Sequence, residues 1–172
     1  MMTMRYLALA VAVVAATLGV TPSVQAQEVF GAHLSGVQEV PPIYSQGHGF
    51  ALVGIDYDAE TVGYSVVYFN LGSNATQAHI HFGTPGVNGA IVAFLCSNLP
   101  GKPAGVQACP NAPGLNTISG TLTTADVQAV GAQGIGIGDF DALAAIIDSS
   151  AAYVNVHTAT FPGGEVRGPL GH

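Results

Sequence analysis

Short runs of β-prone residues, each bounded by turn-forming residues, constrain the fold of this chain more than any other feature of its sequence. The 172 residues include 23 glycines and 10 prolines, and many of these stand between the apolar runs. Such spacing is typical of sandwiches and barrels built from short strands. Candidate strands cover residues 28–34, 47–57, 62–70, 90–96, 116–123, 152–158 and 165–170, with one more around positions 79–81. The sequence therefore predicts an all-β, Greek-key β-sandwich of about seven to nine strands.

The stretch 124–150 interrupts this pattern with residues that favour helices. Residues 124–130 are predicted to form a short capped helix, and residues 139–148 a second one with Asp139 as its N-cap. The glycine-rich stretch 131–138 between them lacks the lysine and the strand-loop-helix frame of a phosphate loop. We therefore expect one or two short inserted helices. They would form a lid over a binding site or cover one sheet.

The first 26 residues have the pattern of a secretory signal peptide. Arg5 precedes an apolar run at 6–20, and Val24-Gln25-Ala26 provides a small-residue cleavage site. The apolar run is shorter than the ~20 residues that span a bilayer, although an uncleaved membrane anchor remains the alternative. We predict a signal peptide at 1–26 and one domain at 27–172. The domain would be periplasmic or secreted, with no membrane insertion after cleavage.

The charge of the predicted domain excludes several classes of partner. After residue 26 only Lys102 and Arg167 remain as cations, against ten acidic residues, so the formal charge is 2 − 10 = −8. Nucleic acids and anionic membrane surfaces are poor partners for such a chain. We expect no nucleic-acid binding. A small anion, a metal ion or a protein partner is compatible with this charge.

Cys96 and Cys109 bracket a loop rich in proline, glycine and asparagine. In an oxidising compartment, two cysteines at this spacing are expected to form a disulfide. Closing a loop of this size stabilises a protein by about 3 kcal/mol in the chain-entropy model. Two thiolate metal ligands are the alternative.

Three of the six histidines form the strongest candidate for a chemical site. His79 and His81 are two residues apart in a β-prone run, so a strand would send both side chains to one face. His157 lies in a second strand-like run and would complete a three-nitrogen set that suits copper. His33 and His48 are candidates for a fourth ligand. The alternative is that the histidines are structural and bind backbone carbonyls.

Arg167 is one of two cations in the predicted domain, and two interpretations of it stay open. It would hold a small anion near a metal ion, or it would form a structural ion pair with Glu165 or Glu39. The sequence contains no Gly-x-Ser-x-Gly nucleophile motif and no paired-carboxylate pattern of a glycosidase. Hydrolytic chemistry of these kinds is therefore not indicated.

Four sequence motifs, in order, resemble the CHRD domain. They are Leu34-Ser35-Gly36 with Glu39-Val40-Pro41-Pro42, Ala78-His79-Ile80-His81-Phe82-Gly83 with Asn88-Gly89, Tyr153-Val154-Asn155-Val156-His157-Thr158, and Pro162-Gly163-Gly164-Glu165-Val166-Arg167-Gly168. This family is named after the vertebrate protein chordin and also occurs in many exported bacterial proteins. The resemblance spans about 29–170 and implies fold and compartment more firmly than it implies chemistry.

A weaker resemblance links the chain to the secreted copper,zinc and copper-only superoxide dismutases. Those enzymes carry a His-x-His pair on a strand, a further copper ligand on a late strand, and an arginine near the C-terminus that guides the anion. His79, His81, His157 and Arg167 match these positions in order. No zinc-loop histidine cluster follows His81, no evident counterpart of the bridging fourth histidine is present, and the cysteines do not map cleanly onto that family's disulfide. The resemblance implies a superoxide-dismutase-like or immunoglobulin-like sandwich and a three-histidine copper site, with Arg167 guiding an anion.

Two functions of different classes follow from these observations. The first is an exported copper-binding protein, and if it is an enzyme, a copper-dependent one resembling superoxide dismutase. The second is a non-catalytic extracellular binding or structural module whose histidines only support the fold. The two functions are distinguished by whether the nitrogens of His79, His81 and His157 converge within about 3–4 Å, as ligands of one ion must.

Overall fold

Eight antiparallel strands make up most of the fold in the computed structural model, which describes residues 28–172. The strands are β1 Glu28–Ser35, β2 His48–Asp56, β3 Thr61–Phe69, β4 Ala75–Phe82, β5 Ala90–Ser97, β6 Asn116–Leu122, β7 Ala152–Thr158 and β8 Val166–Pro169. The predicted all-β fold is confirmed. The predicted signal peptide lies outside the described residues.

The strands form one sheet in the order β5-β4-β7-β8-β1-β2-β3-β6. Its two halves of four strands meet at β8 and β1, where the strands pair only at Ser35 and Arg167, with an isolated bridge between Gly31 and Gly171. Buried residues from both halves belong to one core cluster, so the sheet folds over on itself. The result resembles a sandwich, but it is built from one nearly closed sheet.

Alternating burial along β2 shows why these segments form strands. Ala51, Val53 and Ile55 are buried in the core, whereas Phe50 and Leu52 between them are more than half exposed. Burying one face of a strand and leaving the other in solvent requires this two-residue period. In β7 every residue is buried, because both of its faces are covered.

One α-helix, α1 Phe140–Asp148, closes the core beside the sheet. Asp139 is its N-cap, as predicted, and its Oδ1 accepts a hydrogen bond of 3.0 Å from Ala142 N. Leu143 and Ile147 are fully buried on the inner side of the helix. The helix therefore contributes to the core.

The predicted helix over 124–130 is wrong. Only Thr124–Asp126 forms a 3-10 turn, in which Asp126 Oδ2 accepts hydrogen bonds from Thr123. The chain becomes extended at Val127, and Gln128 N then donates to Val92 O on β5 at 2.9 Å. Gln128 thus bonds to the edge strand of the sheet and not to a preceding helical turn. Most of the inserted segment thus covers an edge and the core.

Cys96 on β5 and Cys109 are joined by a disulfide, with 5.0 Å between their Cα atoms. Asn98 holds the same loop, because its side chain donates to Cys109 O and accepts from Cys109 N. Within residues 28–172, no helix is both long and apolar enough to cross a membrane.

Candidate metal centre

The register between β4 and β7 brings the candidate histidines together. His79 lies opposite Asn155 and His81 lies opposite Tyr153, while His157 lies opposite Gln77. These side chains share the face of the sheet that points away from the core, because the alternate residues Ala78 and Ile80 are buried in the core. Loops close over this outer face, so His79 is fully buried and His81 and His157 are 7 % and 8 % exposed.

The three imidazoles converge on one point. His79 Nδ1 lies 3.1 Å from His157 Nε2, and one nitrogen from each of the three rings lies within 4.8 Å of the others. Two nitrogen ligands with bonds of about 2.0–2.1 Å are separated by at most about 4.2 Å, so an ion would draw the rings slightly closer. The geometry is that of a three-histidine cluster that could hold a metal ion.

Two loop carbonyls orient the rings. His157 Nδ1 lies 2.9 Å from Pro162 O and His81 Nδ1 lies 3.0 Å from Gly89 O. A carbonyl oxygen can only accept, so each Nδ1 carries the proton and each Nε2 of the neutral ring keeps its lone pair. Metal-binding histidines usually donate their other N–H in this way, which fixes the tautomer.

Burial keeps these histidines neutral. Desolvation, followed by the nearby charges of His157 and His81, lowers the pKa of His79 to about 2. Desolvation also lowers the pKa of His81 to about 4, and it lowers the pKa of His157. A neutral imidazole is the form that binds a metal ion, so the cluster needs no deprotonation at neutral pH.

Two ring nitrogens of the cluster lack a hydrogen-bond partner. His79 Nε2 and His81 Nε2 are buried and have no hydrogen-bond partner among the described residues. His157 Nε2 lies 3.0 Å from Asn155 Oδ1 and 3.1 Å from His79 Nδ1, which can donate to it when no ion is bound. Unpartnered buried polar atoms are costly unless a ligand satisfies them. A cation fits these donor atoms, and imidazole nitrogens suit a first-row transition metal.

Arg167 makes several polar contacts near the cluster. It forms a buried ion pair of 3.0 Å with Glu39, and it donates to Val87 O at 3.2 Å and Asn88 Oδ1 at 2.7 Å. Its guanidinium lies 4.2 Å from the centre of the Tyr153 ring. Of the alternatives left open by the sequence, the structure shows the ion pair with Glu39. Glu165 instead accepts from Ser45, Gly72 and Thr158.

His33 and His48 lie outside the cluster. Their rings stack on each other at 5.7 Å on β1 and β2, beside Phe50 and Phe69. The geometry groups only His79, His81 and His157 as a metal-capable set within the described part of the chain. Neither His33 nor His48 is placed as a fourth ligand.

Tyr153 is the neighbour of the site that sequence reasoning missed. Its ring is parallel to that of His81, with 4.7 Å between centres and an interplanar angle of 3°. Because β7 lies between β4 and β8, Tyr153 separates His81 from Arg167. The signal was present, since Tyr153, Asn155 and His157 alternate along one strand and share one face.

Comparison with known proteins identifies one family. The family model described as the CHRD domain matches residues 30–170. No curated protein and no solved structure matches the chain.

Proposed function

Because the chain belongs to the CHRD domain family, we propose that it is an exported CHRD domain that binds one copper ion through His79, His81 and His157. The observation that supports this most strongly is that one nitrogen from each of the three buried imidazoles lies within 4.8 Å of the others. Two of the rings are fixed by loop carbonyls, and two Nε2 atoms lack a partner. An all-nitrogen set of three ligands favours copper over harder ions.

Copper at this position would supply one-electron chemistry between its +1 and +2 states. The protein's own contribution is to hold three neutral imidazoles in a buried pocket with little access for water. Ring orientation comes from Gly89 O and Pro162 O, which belong to two different loops. Both loops are therefore supporting parts of the site.

We propose that this domain is exported from the cytoplasm. The predicted signal peptide at 1–26 supports it, and so does the disulfide between Cys96 and Cys109, since disulfides persist in oxidising compartments. The domain would be periplasmic or secreted.

Superoxide dismutation is one reaction that a copper ion at this centre could catalyse. The formal charge of −8 after residue 26 repels an anion, and Glu39 neutralises Arg167, the cation nearest the site. These charges argue against efficient attraction of superoxide. Copper binding, without rapid turnover, is therefore the activity proposed.

The competing function is a non-catalytic binding module with structural histidines. The hydrogen bonds from His81 and His157 to loop carbonyls favour this alternative, because they would hold the loops without an ion. It predicts that no metal is retained.

Copper stoichiometry of the purified protein, expressed from its complete coding sequence, distinguishes the two functions. We expect one tightly bound copper ion per chain, with nitrogen hyperfine structure in its electron paramagnetic resonance spectrum. The His79→Ala/His81→Ala variant should lose it. The matched His33→Ala/His48→Ala variant should keep it. Equal copper retention in the wild type and the His79→Ala/His81→Ala variant, or no retention in either, would contradict the proposal.

A further inference from the structure

The loop of residues 83–89, which joins β4 to β5, reaches the histidine cluster from outside the sheet. Gly89 O, at the end of this loop, lies 3.0 Å from His81 Nδ1. The Nε2 atoms of His79 and His81 are both buried, so an ion in solution does not reach them in this conformation. Entry and release of an ion therefore require part of the cover over the cluster to move.

The 83–89 loop is the part of the cover that opens most readily. Phe94 and Tyr153 also pack against histidine rings, but both lie on strands of the sheet. The loop at 159–165 is fixed by backbone hydrogen bonds at both of its ends. Residues 84–88, in contrast, are all exposed. Segments with few buried contacts open locally at the lowest cost in free energy.

Arg167 joins the 83–89 loop to the sheet. Its Nη1 donates to Val87 O at 3.2 Å, and its Nη2 donates to Asn88 Oδ1 at 2.7 Å. Nη2 also pairs with Glu39 Oε2 at 3.0 Å, which fixes the guanidinium in place. A planar guanidinium presents several donors in fixed directions, so one side chain bonds two positions of the loop and a carboxylate at once.

Asn88 provides a second link, next to the carbonyl that orients His81. Its Nδ2 donates to Val40 O, in the loop between β1 and β2, at 3.0 Å. The following residue, Gly89, donates from its N to Tyr153 Oη at 3.2 Å. The bonds of Asn88 therefore hold the chain one residue away from the oxygen that accepts from His81 Nδ1.

We propose that the 83–89 loop opens to admit or release a metal ion, and that Arg167 and Asn88 hold it closed over the histidine cluster. Opening withdraws Gly89 O from His81 and exposes the His81 ring. Arg167 and Asn88 are positioning residues, because they act on the loop while the histidines bind the ion. The opening itself is independent of copper, and only its role in ion exchange rests on the proposed function.

Modification by diethyl pyrocarbonate tests the opening in the metal-free protein, expressed from its complete coding sequence and mapped by peptide mass spectrometry. In the wild type we expect His81 to react far more slowly than the exposed His172. The Asn88→Ala variant removes two bonds of the loop and should raise the rate at His81 about tenfold. The matched Asn74→Ala variant, at an exposed asparagine between β3 and β4, should react as the wild type does.

Arg167→Lys is the second variant, because it keeps the positive charge beside Glu39 and loses the two-nitrogen fork. It should also raise the rate at His81, while the rate at His172 stays the same. Amide hydrogen exchange in β7 should remain slow in both variants, which separates local opening from general destabilisation. An equal rate at His81 and His172 in the wild type, or an unchanged rate at His81 in both variants, would overturn the proposal.

Copper exchange tests what the opening does. Loading with Cu²⁺ and removal by EDTA should both be faster in the Asn88→Ala variant, by a similar factor, with an unchanged dissociation constant. A loop that stays mostly closed slows entry and release equally, so its loosening changes rates and not affinity. Faster release with unchanged entry would overturn the role in exchange. If the wild type retains no copper, the proposed function fails, and the modification of His81 alone still decides whether the loop opens.

Discussion

At the residue scale, the candidate site is defined by where protons are placed. His81 and His157 each donate from Nδ1 to a carbonyl, so their Nε2 atoms face the cluster as acceptors. Burial lowers the pKa of all three histidines, most strongly for His79. The folded protein therefore excludes protons that the unfolded chain would accept.

Stability of the metal-free protein should consequently fall in mild acid. Below about pH 6.5 these histidines are protonated in the unfolded chain, whereas in the folded protein they stay neutral. The histidine contribution is thus fully present above that pH and is lost as the pH falls towards about 4, the folded-state pKa of His81. Each such group changes the free energy of unfolding by at most about 1.4 kcal/mol per pH unit. Glu39 acts in the opposite direction, because burial raises its pKa, but it is one group against three.

Denaturant titrations between pH 7 and pH 4.5, with a chelator present, measure this dependence. A His33→Gln variant should keep the slope of the wild type, because His33 is exposed and outside the cluster. A free energy of unfolding that stays constant over this range would show that the three histidines titrate as in the unfolded chain.

At the scale of elements, the loop between β7 and β8 carries a tight contact. Gly164 has a φ of 127°, and a Cβ placed there would lie 2.5 Å from Glu39 Oε1. The same loop provides Pro162 O, the hydrogen-bond partner of His157. The conformation of this loop therefore affects both the Glu39–Arg167 ion pair and the orientation of the His157 ring.

Replacement of Gly164 by alanine should destabilise the protein, by about 1–3 kcal/mol for the backbone conformation alone. The neighbouring Gly163→Ala is the matched control, because a Cβ there would meet nothing within 4 Å. Thermal unfolding of the two variants measures the difference. Equal melting temperatures would mean that the Gly164 contact relaxes without cost.

At the scale of the whole molecule, the two ends of the sheet are held near each other. Tyr64 on β3 donates to Leu95 O on β5 at 3.0 Å, and Gln107 donates to Tyr64 and to Ser119 O on β6. The disulfide anchors the loop that contains Gln107 to β5. This loop therefore bridges strands that are not hydrogen-bonded to each other.

Removing the disulfide should weaken this closure. We expect the Cys96→Ser/Cys109→Ser variant to lose about 3 kcal/mol of unfolding free energy, the loss predicted for a loop of this length. Reductant should shift the wild type to a similar stability and leave the variant unchanged. A variant as stable as the oxidised wild type would show that the hydrogen bonds alone close the sheet.

The sequence by itself determined the features that depend on neighbouring residues. The period-2 alternation predicted the strands, the spacing of His79 and His81 placed both on one face, and Asp139 marked the start of the helix. Local periodicity is sufficient for these, since backbone geometry alone sets side-chain direction. The extended course of the chain after Asp126 was not predicted, because Val92, to which Gln128 bonds, lies far away in the sequence.

Only the tertiary structure decided how distant segments meet. His79 and His157 are 78 positions apart, and only the pairing of β4 with β7 brings their rings within 3.1 Å. The sequence offered Glu165 and Glu39 as partners for Arg167, and the fold of the loop that contains Glu39 places this residue against Arg167. The orientation of the His81 and His157 rings also depends on loops that fold over the sheet. No local pattern encodes such contacts, because they arise from the register and curvature of the whole sheet.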